Sequence, residues 1–421
     1  MKVLWFTNIS CSAANKFSQN EVSGGWLTSL ETELTLRDDI FLSICFYSYS
    51  EFEPFTINKT TFYPIFRNDA SSRIKRLLRR LYGPDNNDSE EVYQLLGIIE
   101  KVNPDIIHIH GTEENFGLIS QYTQIPVLIS LQGIVASCYE KLFSGIPISA
   151  AIRYEKFRSK ILLNTAHTRV QNMKRWALRE EIIFKHTKYV IGRTDWDRRV
   201  SRILAPNSMY FTVNEVLRDA FYKCTWQHTT FDKKIQIVTT SGTDFYKGFE
   251  TIVKTATLLS SIQDLDFEWI VIGVDKRSEI VSIVCKWLKA DLEKINIKLL
   301  GQKKETEVMQ ILSKASIYCQ VSHIENSSNS LCEAMLVGIP IIATFAGGTS
   351  SLLENMIEGL LVQEGDFYSI AGAIKEFATN YVLANECAKN AKLKAIKRHD
   401  KKKIVNDLVT VYNRILNPSL N

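Results

Sequence analysis

The sequence predicts an α/β protein of two domains, each built on a doubly wound, mostly parallel sheet. The chain has 421 residues, which is too long for one ordinary core and fits two domains. Short apolar runs such as Asp105–His110 alternate with helical segments, which is typical of parallel sheets covered by helices. The alternation restarts at Ile235 after a stretch with little periodicity. We therefore expect domains at 1–218 and 233–395, a linker at 219–232 and a separate last helix at 396–421.

Composition and charge indicate a soluble, cytoplasmic protein. Hydrophobic residues make up 45% of the chain, and the net charge of +5 is too small to argue for a nucleic-acid partner. The eight cysteines form no C-x2-C pair, which favours reduced thiols. The first apolar run is too short for a signal sequence, and no run reaches the roughly 18 residues of a membrane span. We expect the protein to lie in the cytoplasm, with the inner face of the membrane as a further location.

The stretch 322–350 carries the densest chemical pattern. Glu325 and Glu333 stand eight positions apart on either side of a polar run, and a strand-like segment precedes them. Ser330 is predicted to be the N-cap of a helix, with Glu333 completing a capping box. Gly338 and Pro340 are expected to end that helix. A second strand follows and leads into a loop at Gly347 and Gly348.

This pattern suits a nucleotide-sugar site. A helix N-terminus binds phosphate through its free N–H groups, and carboxylates accept hydrogen bonds from sugar hydroxyls. Its predicted binding residues are Glu325, Ser328, Asn329, Ser330, Leu331, Glu333, Gly347 and Gly348. The alternative is a plain capping box beside a solvated glutamate.

The same stretch resembles the donor motif of the retaining family-4 glycosyltransferases. The pattern E-x7-E followed by AlaMet, Gly338, Pro340 and GlyGly agrees with that family over some forty residues. The variant ENSSNSLCEAM resembles the ENSPNSxCEA branch, whose members act in polysaccharide biosynthesis. The resemblance implies the GT-B fold, in which two Rossmann-like domains face each other across a cleft and the last helix crosses back to the first domain.

The family likeness also implies a reaction. A sugar passes from a nucleotide diphosphate donor, bound by the C-terminal domain, to a hydroxyl of a glycan or lipid-linked acceptor facing the N-terminal domain, with retention. No cofactor or metal is expected, and no acidic pair with metal-ligand spacing lies near either glycine loop.

The loop after the first strand of the second domain departs from the family pattern. Lys247-Gly248 matches the family's LysGly, whose lysine binds the donor diphosphate, but Gly242 stands where relatives have arginine. Ser351 likewise replaces a glutamate. Loss of a bidentate phosphate ligand is not neutral. Either Arg193, at the end of a first-domain strand, supplies the second charge, or backbone amides bind the diphosphate.

The first domain offers further candidates at its strand ends. Gly24 and Gly25 open a helix after the first strand, as in the family loop over the donor phosphates; a tight turn without a ligand is the alternative. His110 and Gln132 end two later strands, and Gln132 stands where many relatives have histidine. His108 is expected to face away from His110. The candidate catalytic residues are Glu325, Lys247, His110 and Gln132.

Two basic regions predict a contact with anionic membrane. Residues 71–82 form a basic amphipathic pattern, and 151–202 is rich in Arg and Lys. A solvated basic face explains both equally well.

Two other functions remain open from the sequence. A nucleotide-sugar epimerase of the same fold would bind the donor but need no acceptor surface. A non-catalytic partner subunit would explain the departures at Gln132, Gly242 and Ser351.

Overall fold

The fold is given by a computed structural model that describes residues 1–17, 25–67, 88–227, 230, 234–262 and 264–418. Within it the chain forms two compact units. Unit 1 contains residues 1–139, 168–216 and 399–421, and unit 2 contains residues 140–167 and 217–398. Gly24 and the basic segment 71–82 lie outside the described residues.

Fourteen strands are described. They are β1 (Lys2–Thr7), β2 (Phe41–Ser48), β3 (Phe55–Ile57), β4 (Thr60–Phe66), β5 (Ile106–His110), β6 (Val127–Ser130), β7 (Tyr189–Gly192), β8 (Met209–Thr212), β9 (Lys234–Thr240), β10 (Asp266–Ile272), β11 (Ile297–Gly301), β12 (Ile317–Gln320), β13 (Ile341–Thr344) and β14 (Leu360–Val362).

The α-helices of the described chain alternate with these strands. They are α1 (Ala14–Phe17), α2 (Gly25–Leu34), α3 (Asp88–Val102), α4 (Val135–Glu140), α5 (Ile148–Tyr154), α6 (Phe157–Ile161), α7 (Ala166–Lys185), α8 (Asp195–Leu204), α9 (Asp219–Tyr222), α10 (Phe249–Leu259), α11 (Glu279–Leu288), α12 (Glu305–Lys314), α13 (Asn329–Val337), α14 (Thr349–Leu352), α15 (Phe367–Thr379), α16 (Tyr381–Arg398) and α17 (Lys401–Leu416). Short 3-10 helices occur at Cys11–Ala13, Asn115–Gln121 and Phe245–Lys247.

Unit 1 is built on an eight-stranded sheet with the order β3-β4-β2-β1-β5-β6-β7-β8. All neighbouring strands are parallel except β3, which pairs antiparallel with β4 at the edge. The strand order reverses between β1 and β5. In open α/β sheets, ligands bind outside the carboxyl ends of the strands at such a switch point.

Unit 2 is built on a six-stranded parallel sheet with the order β11-β10-β9-β12-β13-β14. In chain order this is 3-2-1-4-5-6, the Rossmann arrangement. Its switch point lies between β9 and β12. The predicted doubly wound α/β class is therefore confirmed for both units.

The last helix belongs to unit 1, as the predicted fold requires. Its apolar stripe, which includes Ile404, Leu408 and Tyr412, is buried in one cluster with Val3 and Trp5 of β1. The Tyr412 hydroxyl lies 2.6 Å from Nδ1 of His108 and accepts a hydrogen bond from Nε1 of Trp5 at 3.0 Å. These buried contacts join residues some three to four hundred positions apart in the chain.

The largest difference between the unit boundaries and the predicted domain ranges lies at residues 140–167. Residues 140–167 were assigned to the first domain but pack with unit 2, where α5 lies against α11. The chain enters unit 2 again at Leu217 and returns to unit 1 at His399. Periodicity alone could not show this excursion, because helix α5 has the same local pattern whichever sheet it covers.

Among the described residues, no helix combines the length and the apolar character that a membrane span requires.

Candidate functional site

In unit 2 the predicted donor-site residues gather at the switch point of the sheet. Lys247 ends the 3-10 helix after β9, and Glu325 lies in the loop after β12. The Lys247 ammonium donates to Oε1 of Glu325 at 2.7 Å, and the Ser322 hydroxyl donates to the same oxygen at 2.8 Å. The geometry thus places one cation and one carboxylate in contact at the carboxyl end of the central strands.

Two glycines make this approach possible. Gly248 is in the left-handed region with φ 78°, and a Cβ there would lie 2.2 Å from the carbonyl oxygen of Val321. Gly347 has φ 54°, and a Cβ there would lie 2.1 Å from the carbonyl oxygen of Glu325. The Gly348 N–H donates to that same carbonyl at 2.9 Å. Both glycine loops therefore pack directly against the Glu325 segment, and an L side chain at either position would force them apart.

The predicted capping box at Ser330 is wrong. Helix α13 begins at Asn329 with Ser328 as its N-cap, and no side chain caps it among the described contacts. Glu333 instead accepts two hydrogen bonds from Arg218, Nε to Oε1 and Nη2 to Oε2, both at 2.7 Å. A bidentate guanidinium is a stronger partner for a carboxylate than a backbone amide. Glu333 therefore pairs with Arg218 and does not cap the helix. The predicted helix end at Gly338 is confirmed, with φ 80° at the C-cap.

Burial sets the electrostatics of this pair. Glu333 is buried, and desolvation raises its pKa from the ordinary value, while the Arg218 guanidinium opposes that shift. Arg218 is a site residue that sequence reasoning missed, although it is the last residue of the predicted first domain. Its partner is 115 positions away, so no local pattern could pair them.

Gly242 faces open space. A Cβ at this position would meet no atom of the described chain within 4 Å, and the residue is exposed in the loop that leads to Lys247. The chain thus has room for the arginine that family members carry there.

In unit 1, His110 lies at the carboxyl end of β5, beside the switch point. It is buried, and neither ring nitrogen has a hydrogen-bond partner within the part of the chain that the structure describes. Burial, with the charges of His108 and Arg193, holds the pKa of His110 well below its usual range. The ring is therefore neutral near pH 7 and can only exchange hydrogen bonds with a ligand.

The expectation that His108 faces away from His110 is wrong. The two ring centroids are 4.0 Å apart, since residues two apart on a strand point to the same side. His108 is held by Tyr412 at Nδ1 and by the Ser130 hydroxyl at Nε2, each at 2.6 Å.

Gln132 follows β6, and its Nε2 is buried without a partner among the described residues. Near it lies Glu113, which sequence reasoning missed. Its Oε2 would be 2.0 Å from a Cβ at Gly111, its Oε1 would be 3.7 Å from a Cβ at Gly133, and Oε2 has no described partner. Burial raises the pKa of Glu113 to about 7, with the nearby Glu180 and Glu114 adding to the shift. A carboxylate and an amide with unused hydrogen-bonding capacity thus lie at neighbouring strand ends.

Arg193 follows β7 and is buried in unit 1. Its Nε lies 3.5 Å from Oε2 of the fully buried Glu215, and its guanidinium lies 4.2 Å from the centre of the Trp26 ring. The Arg193 side chain is only 3% exposed, so it is a buried group of unit 1 and not a surface cation. Gly25 opens α2 with φ 53°, and no atom of the described residues lies within 4 Å of its Cβ position.

The strand orders of the two units and the solved structures compared below agree in showing the GT-B fold. Residues 224–394 match the model of the family described as "Glycosyl transferases group 1". This range falls within unit 2 and contains Lys247, Glu325 and Glu333.

Curated relatives match about a third of the chain. The amylovoran biosynthesis glycosyltransferase AmsK of Erwinia amylovora is 28% identical over 135 residues, which is 30% of this chain and 32% of the relative. A 2-deoxystreptamine N-acetyl-D-glucosaminyltransferase of Niallia circulans is 30% identical over 139 residues, 33% of this chain and 34% of the relative. The match thus spans about a third of the length of these relatives.

Solved structures extend the likeness in fold to the whole chain. Sucrose-phosphate synthase from Thermosynechococcus elongatus superimposes with a TM-score of 0.72 at 15% identity, over 99% of both chains. HepE of Anabaena, solved in complex with UDP, gives a TM-score of 0.61 at 13% identity, over 98% of this chain and 100% of its own.

Proposed function

We propose that this chain is a retaining glycosyltransferase that moves a sugar from a nucleotide diphosphate donor to a hydroxyl of a glycan or lipid-linked acceptor, in surface polysaccharide biosynthesis. The observation that carries the proposal is the Lys247–Glu325 contact at the switch point of the unit 2 sheet, inside the range that matches the family. The AmsK relative, named for amylovoran biosynthesis, supports the polysaccharide setting.

On the donor side, charge development on the leaving group determines the roles. As the glycosidic bond breaks, negative charge grows on the diphosphate, and Lys247 together with the N-terminus of α13 neutralises it. Glu325 orients the Lys247 ammonium and accepts hydrogen bonds from the donor sugar. Because these groups supply the positive charge, transfer is expected to need no bound metal.

On the acceptor side, Glu113 and Gln132 each have a buried hydrogen-bonding atom that finds no partner among the described residues, and they lie at neighbouring strand ends. A carboxylate accepts a hydrogen bond from a hydroxyl and an amide N–H donates one, so the pair suits a sugar hydroxyl. The neutral His110 adds a further hydrogen-bonding group.

One experiment tests the proposal. The purified protein is incubated with a panel of UDP-, GDP- and ADP-sugars, with and without membrane extract, and diphosphate release is measured with and without a chelator. We expect release that depends on the extract and survives chelation. Conversion of the donor without diphosphate release would indicate the epimerase, and binding without turnover would indicate the partner subunit.

Matched lysine variants link the activity to the site. Lys247→Ala is expected to weaken diphosphate affinity by about 1.5–3 kcal/mol, the range for a hydrogen bond to a charged group. Lys276→Ala is the control, because Lys276 pairs with Glu293 on the exposed surface. Equal calorimetric affinities in the two variants would exclude Lys247 from the donor site.

A further inference from the structure

The segment 140–167 is separated in sequence from the rest of unit 2, yet it packs within that unit. Its first part, residues 140–147, is here named the strap. Leu142 and Ile146 of the strap are buried, so it is anchored by apolar contacts. Three other strap residues contact segments that follow strands β9, β12 and β14 of unit 2.

Phe143 is the first of these contacts. Its ring lies 5.1 Å, centre to centre, from the ring of Phe245, which is buried in the 3-10 helix that ends at Lys247. Lys141 forms an ion pair with Glu364, in the loop after β14. The strap therefore contacts both the segment that carries Lys247 and the loop after the edge strand β14.

Gly145 is the closest contact. A Cβ at Gly145 would lie 1.8 Å from Oε1 of Glu250 and 2.4 Å from Nε2 of His323. Glu250 and His323 are both buried and lie 2.7 Å apart, Oε1 to Nε2. On another side of the same ring, a Cβ at Gly365 would be 3.4 Å from Cε1 of His323. The buried His323–Glu250 pair thus lies between two glycines, one of which belongs to the strap.

This buried pair joins the two donor loops. Glu250 is in the first turn of α10, just after Lys247 and Gly248, and His323 is two residues before Glu325. The His323 N–H also donates to the carbonyl of Tyr246 at 2.8 Å. Any displacement of the pair therefore moves the backbones that carry Lys247 and Glu325.

We propose that the strap is a positioning element of the donor site, and that Phe143 and Gly145 hold the Lys247 and Glu325 loops in register through Phe245 and the His323–Glu250 pair. The ligand served is a nucleoside diphosphate, and that part of the proposal rests on the proposed function. In this proposal neither residue contacts the ligand, and each acts through the loop that it packs against.

Hydrogen exchange on the unliganded protein tests the positioning directly. Gly145→Ala inserts a methyl group into the space occupied by Glu250 and His323, and Phe143→Ala removes the ring from Phe245. In each variant we expect amides of 244–250 and 321–326 to exchange about tenfold faster or more, as for a local opening made easier by strain or lost packing. Gly372→Ala is the control for the first, since a Cβ there meets nothing within 4 Å. Phe157→Ala is the control for the second, because Phe157 is in the same segment but exposed.

Calorimetric titration with UDP, GDP and ADP tests the consequence for the ligand. The nucleotide that the unaltered protein binds should bind Gly145→Ala about tenfold more weakly and both control variants equally well, because a displaced loop misplaces the charged contacts. If none of the three binds the unaltered protein, the proposed function fails, while the exchange result still decides the positioning role.

Two results would overturn the inference. Unchanged exchange at 244–250 and 321–326 in both strap variants would show that the strap does not hold the loops. Faster exchange spread evenly over unit 2 would show a general role in stability instead of positioning.

Discussion

At the residue scale, Gly242 is the departure from the family pattern that the structure makes testable. The site around Lys247 has one compact charge, where relatives offer an arginine as well. Since a side chain at 242 would extend into open space, the residue can be changed without disturbing the loop.

Gly242→Arg is expected to tighten nucleoside diphosphate binding by about 1.5 kcal/mol, or roughly tenfold, because a guanidinium makes charge-assisted contacts with phosphate. Gly242→Gln is the control, since it adds a polar side chain without the charge. Calorimetry would measure both variants. Equal affinities of the two variants for the nucleoside diphosphate would mean that backbone amides already bind its phosphates.

Glu113 predicts a pH dependence of stability in unit 1. Its pKa is raised from 4.5 to about 7 by burial, so the folded protein holds the proton more tightly than the unfolded chain. Wild-type stability must then fall as pH rises from about 4.5 to 7, where the folded state binds more protons. The charges around it are Glu180 and Glu114, with Arg179 donating to the Glu113 carbonyl oxygen.

Glu113→Gln should remove this loss. We expect the variant to gain about 1–2 kcal/mol relative to wild type at pH 8 and little at pH 5, after discounting the shift for partial exposure. Thermal unfolding at the two pH values measures it. Glu90→Gln, at an exposed position of α3, is the control. A gain of the same size at both pH values would contradict the assignment.

At the element scale, helix α6 exposes apolar residues beside basic ones. Phe157 and Ile161 lie one helical turn apart in α6 and are 77% and 54% exposed. Arg158 and Lys160 lie beside them and are exposed as well. If the predicted contact with anionic membrane is made, these exposed apolar and basic side chains would make it.

The double variant Phe157→Ser, Ile161→Ser is expected to bind vesicles of phosphatidylglycerol and phosphatidylcholine at least about tenfold more weakly than wild type, because it removes apolar insertion but keeps the charge. Leu393→Ser in α16 is the control, since Leu393 is 68% exposed elsewhere in unit 2. Vesicle co-sedimentation would measure binding. Equal loss in the control would assign no special role to α6.

At the scale of the whole molecule, neither unit is one continuous stretch of the chain. The chain passes from unit 1 to unit 2 twice and returns to unit 1 each time. Helix α17 is thus a structural part of unit 1, where it covers the face of the sheet that includes β1.

Deleting residues 401–421 should destabilise unit 1 selectively, because it exposes the apolar cluster around Val3 and Trp5 and removes the Tyr412 partner of His108. Hydrogen exchange should become fast across β1 and β5 while β9 and β12 stay protected. Tyr412→Phe, which removes only the hydroxyl, should give a smaller change of about 1–3 kcal/mol. Loss of protection against exchange in both units at once would contradict the expectation that the deletion acts on unit 1 alone.

Local sequence by itself determined the alternation of strands and helices, the doubly wound fold class and the donor motif. These features depend on neighbours in the chain: apolar runs specify buried strands, and Gly248, Gly338 and Gly347 mark backbone that turns with positive φ. The Lys247 and Glu325 segments could be placed at strand ends for the same reason, although they are 78 positions apart.

Only the tertiary structure decided which side chains meet. Glu333 pairs with Arg218 instead of its own helix N-terminus, and His323 pairs with Glu250. The segment 140–167 packs within unit 2 although the residues on both sides of it in sequence belong to unit 1. A buried charge must find a partner wherever the fold supplies one, and that partner is chosen by three-dimensional proximity, which no spacing along the chain encodes.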